Sequence, residues 1–268
     1  MGNILERIVA DKRKEVAAAM QAVPLTAVRA WAEAADAPRD FFAAVTAPAP
    51  AGIHLIAEIK RKSPSAGLIR PDFDPVAIAR DYHAAGASAI SVLTDAKYFD
   101  GALDYIAAVR TEVPVPVLRK DFVVDAYQIW EARAAGADAV LLILEVLGPT
   151  GVTELLPIAD QLGMTALVEA HQPELLTALL EMLGEDLPPR LLLGINNRDL
   201  TVQQTDLRTT ERLARLLPDT TRLVTESGIH TRADVAYVRS LGAAAMLVGE
   251  TIMSAPDIRA KIADLLGG

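Results

Sequence analysis

Five short strings in this chain concentrate residues able to move protons or hold an oxyanion. Glu58 and Lys60 lie in AEIKRKSPS (57–65), and Lys120 lies in VLRKDF (117–122). Glu169 ends ALVE (166–169), Asn196 and Arg198 sit in GINNRDL (194–200), and Glu226 opens ESGI (226–229). Two residues apart on an extended strand, Glu58 and Lys60 share a face, about 6.6 Å apart along the chain. A carboxylate and an ammonium so placed can trade a proton with a bound molecule, or can simply plug the structure as an ion pair. Lys120 has the alternatives of general acid or solvated turn cation between Arg119 and Asp121. Glu169 has those of acid/base or of an acid favoured by the positive end of the following helix. His171 lacks a matching second ligand and is expected at the surface. Ser227-Gly228 and Gly249-Glu250 offer main-chain N–H groups, which bind an anion without adding net charge. Gly228 could equally be a turn glycine. The side chain of Glu250 is expected to point away from any phosphate.

Such residues act together only if the fold gathers them, and the rest of the sequence says how. AAGASAISVLTD (84–95), AAGADAVLLILE (134–145) and SLGAAAMLVGE (240–250) resemble one another, and LGMTALVE (162–169) repeats them loosely. Each has a helix end closed by Gly, then a buried apolar run, then a polar residue where a parallel strand emerges. The pattern predicts eight strands, at 53–59, 88–93, 115–119, 138–144, 164–168, 191–195, 221–225 and 244–248. Helices are expected near 75–86, 101–112, 125–136, 152–162, 173–183, 206–216, 231–241 and 256–266, two of them with Pro75 or Pro256 in the first turn. Eight alternating units indicate an α/β fold, a single (β/α)8 TIM barrel over 53–266. An open doubly wound sheet would carry a glycine-rich turn after its first strand, which is missing. Residues 1–50, with helices at 3–20 and 24–35, read as an N-terminal helical extension over one barrel mouth, so that 1–268 form one domain. In such barrels the site lies at the carboxyl ends of the strands. Those ends carry Glu58, Lys60, Asp95, Lys120, Glu169, Asn196 with Arg198, Glu226 with Ser227, and Gly249, all expected at one rim.

Composition narrows the partners. The net charge of −9 argues against a nucleic-acid partner, and the absence of cysteine removes disulfides and thiolate metal ligands. Charges at Glu6, Arg7 and Asp11 interrupt any signal-peptide core, Glu6 breaks the myristoylation pattern, and no apolar run is long enough to span a membrane. A cytoplasmic enzyme acting on a small phosphorylated substrate is expected, as a monomer or weak homodimer. From this length, no second catalytic domain is expected.

At these motifs, together with SVLTDAKYFDG (91–101), VLLI (140–143) and LVGETIM (247–253), the chain resembles the indole-3-glycerol phosphate synthase family from about residue 53 to 253. The resemblance implies a barrel of the ribulose-phosphate-binding type and a lyase of tryptophan biosynthesis. Its substrate would be 1-(2-carboxyphenylamino)-1-deoxyribulose 5-phosphate, processed without cofactor or metal. It implies Lys120 as general acid for ring closure, Glu169 as acid/base in dehydration and Lys60 as the substrate-orienting lysine. Glu58, Asn196 and Glu226 would position hydroxyls and lysines. Ser63, Ser227, Gly228, Gly249 and Glu250 would meet phosphate and substrate. Pro64, Phe99, Phe122 and Leu141 would wall the anthranilate ring, with Arg198 behind. Ala66, Ala102 and Ala126 depart from the family pattern, none of them on a proposed catalytic group. Two rivals are a sugar-phosphate isomerase on the same barrel, which needs no such lysine–carboxylate set, and a non-catalytic phosphate-ligand-binding barrel.

Overall fold

Buried β-branched and leucine runs make the strands, and a computed structural model describes how they close. It covers residues 3–267, so residues 1, 2 and 268 of the expected domain lie outside the described residues. The eight barrel strands are β1 (His54–Ile59), β2 (Ala89–Leu93), β3 (Val117–Lys120), β4 (Ala139–Ile143), β5 (Thr165–Ala170), β6 (Leu191–Asn196), β7 (Leu223–Glu226) and β8 (Ala245–Val248). Each pairs in parallel with the next, and β1 pairs with both β2 and β8, which closes the barrel. The glycines of the repeated segments take the left-handed conformation that ends each preceding helix, with φ of 94° at Gly86, 96° at Gly136 and 87° at Gly242.

The strands are buried on both faces, as a parallel sheet requires. One face turns Leu55, Ile90, Val140, Val168, Leu193 and Met246 towards the surrounding helices. The other fills the barrel with Ile56, Leu118, Leu141, Leu167, Leu192, Val224 and Leu247. Continuing that inner alternation by two residues reaches Glu58, Lys120, Glu169 and Glu226. The polar residues therefore cap an apolar plug.

Strand ends differ from expectation by one or two residues, in a direction that matters. Lys120, Glu169, Asn196 and Glu226 stand on their strands and not just beyond them, so main-chain pairing holds Glu169 and Glu226 to both neighbouring strands, Lys120 to β2 and Asn196 to β7. The helix expected at 101–112 begins at Asp104, after a separate turn of helix at Ala96–Phe99. Asp257 caps the last helix, Ile258–Leu266, so Pro256 precedes that helix instead of sitting in its first turn. Asp74 accepts from Val76 and Ala77, and Pro75 does open its helix.

The extension forms α1 (Ile4–Ala22), α2 (Leu25–Ala34) and α3 (Phe41–Thr46). In α3, Phe41 and Val45 are wholly buried in the interior cluster. His54, at the start of β1, bonds the Ala47 carbonyl at 2.7 Å, which places α3 at the amino-end mouth. Helix α2 packs outside on the helix Ala126–Ala134, with the Arg29 guanidinium over Trp130. Helix α1 lies over the opposite mouth, its buried stripe Leu5, Ile8, Lys12 and Val16 following helical spacing.

Lys12 is the exception in that stripe. Its ammonium is 1% exposed and lies 2.9 Å from Asp121 and 3.0 Å from Asp95. Burial works against the charge, but the two carboxylates outweigh it and hold Lys12 above the usual lysine range. Asp95, expected at the rim, is thereby withdrawn from it: its other oxygen caps the helix Ala96–Phe99 and it faces α1. Replacing Lys12 with methionine leaves two buried carboxylates short of a cation. It should cost about 3–5 kcal/mol, measured as the shift in unfolding free energy in urea. A loss below about 1 kcal/mol, the level of an exposed ion pair, would contradict this role.

Candidate active site

The order Arg119-Lys120-Asp121 separates structure from chemistry by the strand's alternation. Arg119 faces outward and is buried, pairing with Asp121 at 3.1 Å and Glu131 at 2.8 Å and donating to the Gln128 carbonyl. Asp121 also accepts from Thr94 and the Phe122 N–H. These bonds lock the end of β3, so that Lys120 alone turns inward.

Inside, the Lys120 ammonium lies 2.5 Å from Glu169 and 2.8 Å from Glu226. Lys60 lies 2.5 Å from Glu58. Asn196 donates to the second oxygen of Glu169 at 2.9 Å, and its own side-chain oxygen accepts from the Arg198 N–H. Two glycines clear space for these acids. A Cβ on Gly194 would come 2.7 Å from Glu226, and one on Gly249 would collide with the Glu58 carboxylate. Gly249 is therefore required by a neighbouring side chain as well as by any anion.

Burial opposes the charge on Lys120, yet Glu169, Glu226 and Glu58 more than compensate, so the ammonium stays protonated well above the usual lysine range. Burial also pushes Glu169 up, but the Lys120 charge, with hydrogen bonds from Lys120 and Asn196, wins and leaves it below the usual carboxylate range. Glu226 goes the other way. Burial, reinforced by the Glu169 charge, pushes it up to about 8 against the pull of Lys120. One lysine thus faces two acids of which one holds a proton, a pairing suited to proton transfer.

That division has a stability consequence. From the usual 4.5 up to about 8, folded Glu226 keeps a proton that the unfolded chain has released. Its contribution is complete below pH 4.5 and is lost as pH rises through 8, at no more than about 1.4 kcal/mol per pH unit. Glu226→Gln should therefore gain stability relative to the parent between pH 5.5 and 8, read from urea unfolding at both values. A difference independent of pH contradicts the shifted proton.

Apart from Asp95, every residue nominated from the sequence for the site borders one cavity of about 1050 Å3, open mouth included. Glu58, Lys60, Lys120, Glu169, Asn196 and Glu226 form its floor. Pro64, Phe99, Phe122 and Leu141 form an apolar wall, with the two phenylalanine rings 6.1 Å apart. Ser63, Ser227, Gly228, Gly249 and Glu250 lie opposite, and Ser227 and Gly228 both have positive φ, at 69° and 79°. Successive main-chain N–H groups near such a turn form an anion cradle. Arg198 borders the cavity itself and lies 3.3 Å from the Glu250 carboxylate, which accounts for where that side chain turns.

Sequence reasoning missed the contribution of α1. Ile4, Leu5 and Ile8 complete the apolar wall, and Leu200, Gln203, His230 and Thr251 join the rim. The available signal was Lys12, a lone cation four residues from Ile8 and from Val16 on one helical stripe. His171, expected at the surface, is 22% exposed and bonds the Asn196 main chain at 2.8 Å. Among the described residues, no group of three or more His, Asp or Glu side chains is arranged to hold a metal ion. No described helix is long and apolar enough to cross a membrane.

A closed parallel barrel with lysine–carboxylate pairs and glycine-bearing turns at its carboxyl mouth defines a (β/α)8-barrel enzyme. Comparison with known proteins makes this specific. The family model described as indole-3-glycerol phosphate synthase matches residues 5–265. The chain belongs to the indole-3-glycerol phosphate synthase family. It is 48% identical to the indole-3-glycerol phosphate synthase of Rhodospirillum rubrum over 268 residues, covering 100% of both chains. It is 50% identical to that of Albidiferax ferrireducens, covering 99% of this chain and 98% of the relative. The solved 3-hexulose-6-phosphate synthase of Salmonella typhimurium shares the fold alone, with a TM-score of 0.63 at 15% identity over 80% of this chain and 97% of that one.

Proposed function

We propose that this chain converts 1-(2-carboxyphenylamino)-1-deoxyribulose 5-phosphate to indole-3-glycerol phosphate, CO2 and water, using the residues gathered at the carboxyl mouth. The observation that carries this reading is the Lys120 ammonium held between Glu169 and Glu226, at the floor of a cavity with an apolar wall on one side and glycine-bearing loops on the other.

The aromatic carbon bearing the carboxylate attacks the sugar ketone. Lys120 donates a proton to the oxygen that becomes a hydroxyl, and its neighbouring acids keep it charged for that task. Attack leaves an iminium conjugated to the carboxylate-bearing carbon, so loss of CO2 returns an electron pair to the ring and restores aromaticity. Dehydration then removes the new hydroxyl and a proton from the neighbouring carbon that bears nitrogen, with Glu169 as the acid/base. Lys60, paired with Glu58, orients the substrate. Asn196 holds Glu169, and Phe99, Phe122, Pro64 and Leu141 enclose the aromatic ring. The phosphate lies against Ser227-Gly228 and Gly249-Glu250, with Ser63 at the near loop and Arg198 neutralising the Glu250 side chain.

The chain acts in the cytoplasm as a monomer or weak homodimer. The scatter of exposed Trp31, Met182, Val202 and Leu216 over separate elements supports weak self-association. The decisive assay incubates the protein with the ribulose phosphate, without added metal. Indole fluorescence and CO2 are expected in equal amounts, whereas fluorescence that never rises would overturn the assignment.

A further inference from the structure

We infer that His171 is a positioning residue that fixes Asn196 and, through it, the orientation of Glu169. This rests on Glu169 having the acid/base role proposed above. His171 borders a second, smaller cavity behind Glu169, shared with Leu5, Glu145, Asn196 and Asp199, and it does not border the substrate cavity. It therefore acts without touching substrate.

The hydrogen bonds run in one direction. The Glu145 carboxylate accepts from the main-chain N–H groups of His171, at 2.7 Å, and Gln172, at 2.9 Å, which pins the segment immediately after β5. The His171 Nδ1 lies 2.8 Å from the main-chain oxygen of Asn196. A carbonyl can only accept, so Nδ1 carries the hydrogen. The opposite nitrogen faces the Asp199 carboxylate at 3.6 Å, and Asp199 is itself tied to Thr201. The imidazole is thus wedged between two strand-end loops. Asn196, held at its main chain by His171, donates from its side chain to Glu169 at 2.9 Å. Strand β6 ends at this residue, so no further ladder bond fixes its carbonyl and the imidazole supplies the missing donor.

The groups that face Glu169 are Lys120 on β3, Asn196 on β6, Glu226 on β7 and Glu145 after β4. Lys120, Asn196 and the hydrogen bond from protonated Glu226 favour its ionised form, and the Glu145 charge opposes it. Releasing Asn196 removes one favourable bond and leaves the others. Glu169 then titrates at a higher pH.

The test combines turnover with a titration that needs no substrate. In His171→Ala, kcat should fall roughly tenfold to a hundredfold with little change in KM, as expected when a reacting group is misplaced. The acid limb of the kcat profile should move to higher pH. Carbon-13 NMR of the Glu169 carboxyl should show the same upward move in the free protein. His171→Gln, whose amide N–H can still reach the carbonyl, should recover most of both. Adding His171→Ala to Asn196→Ala should cost nothing beyond Asn196→Ala alone. An unchanged Glu169 titration, a fully additive double variant or a change confined to KM would each overturn the inference. Absent turnover in the parent enzyme would instead strike the proposed function, and the NMR titration would still decide the role of His171.

Discussion

Lys120→Met is expected to abolish measurable turnover, with kcat falling roughly 10³- to 10⁴-fold while the barrel stays folded. Two contributions are lost together: the proton delivered to the ketone oxygen as the ring closes, and the positive charge that stabilises the developing alkoxide. General acid catalysis is commonly worth about 10²–10⁴-fold, and one buried electrostatic donor about 10²–10³-fold. They overlap in one side chain, so the losses do not multiply. Folding should survive because the unbranched methionine fills similar space, and because Glu169 and Glu226 can share a proton once the ammonium is gone. Glu226, pushed up to about 8 by burial and by Glu169, already holds that proton near neutrality, so the variant leaves one carboxylate charge between the two acids instead of two. Lys120→Arg separates the two contributions. Guanidinium keeps the charge but does not give up a proton near neutral pH. If charge alone sufficed, this variant would recover most of kcat; with proton donation required, it should stay within about tenfold of Lys120→Met. Circular dichroism and urea unfolding report the fold. Turnover within tenfold of the parent in Lys120→Met would remove this residue from the mechanism.

Much of this arrangement could be read from the sequence because a parallel barrel imposes two simple periods. Repeated helix ends closed by Gly86, Gly136 and Gly242 mark where strands begin, and alternation along each strand decides which side chains reach the mouth. Glu58, Lys60, Lys120, Glu169, Asn196 and Glu226 fall on one side of that alternation, and one cavity brings them together. The same rule failed for Asp95 because it says where a strand ends, not what packs there. Lys12 of α1 covers that position and turns Asp95 into a structural ion pair. Helix α1 is joined to the barrel by about thirty residues containing α2 and α3, and no local pattern specifies where such a long connection lets it dock. The only trace was a charged residue within an apolar stripe. His171 was obscured for a related reason. Its partner is a main-chain carbonyl on a neighbouring strand, and carbonyls carry no sequence signal. Gly249 could be read as an anion contact, but its second duty, making room for Glu58, depends on the β1–β8 pairing that only closure of the barrel creates.

Glu169→Gln should separate the two halves of the reaction. Ring closure and loss of CO2 depend on Lys120 and on the electron sink within the intermediate, and neither requires a carboxylate at 169. Dehydration does, because a proton must leave the carbon that bears nitrogen as the hydroxyl departs. Glutamine keeps the shape and can still meet Asn196, but it cannot act as a base. In a single turnover, CO2 should appear at no less than about a tenth of the parent rate, while indole fluorescence lags by roughly 10²- to 10⁴-fold. The hydroxylated, decarboxylated intermediate should accumulate by mass, 18 Da above the product (about one water). The ordering matters because Glu169 also helps hold Lys120 in its charged state, so a modest slowing of ring closure is expected as well. A variant that releases CO2 and indole in step, with only KM raised, would reassign Glu169 to substrate binding. Equal slowing of both products would instead place its main effect on Lys120, and the two residues would then act as one acid in a single step.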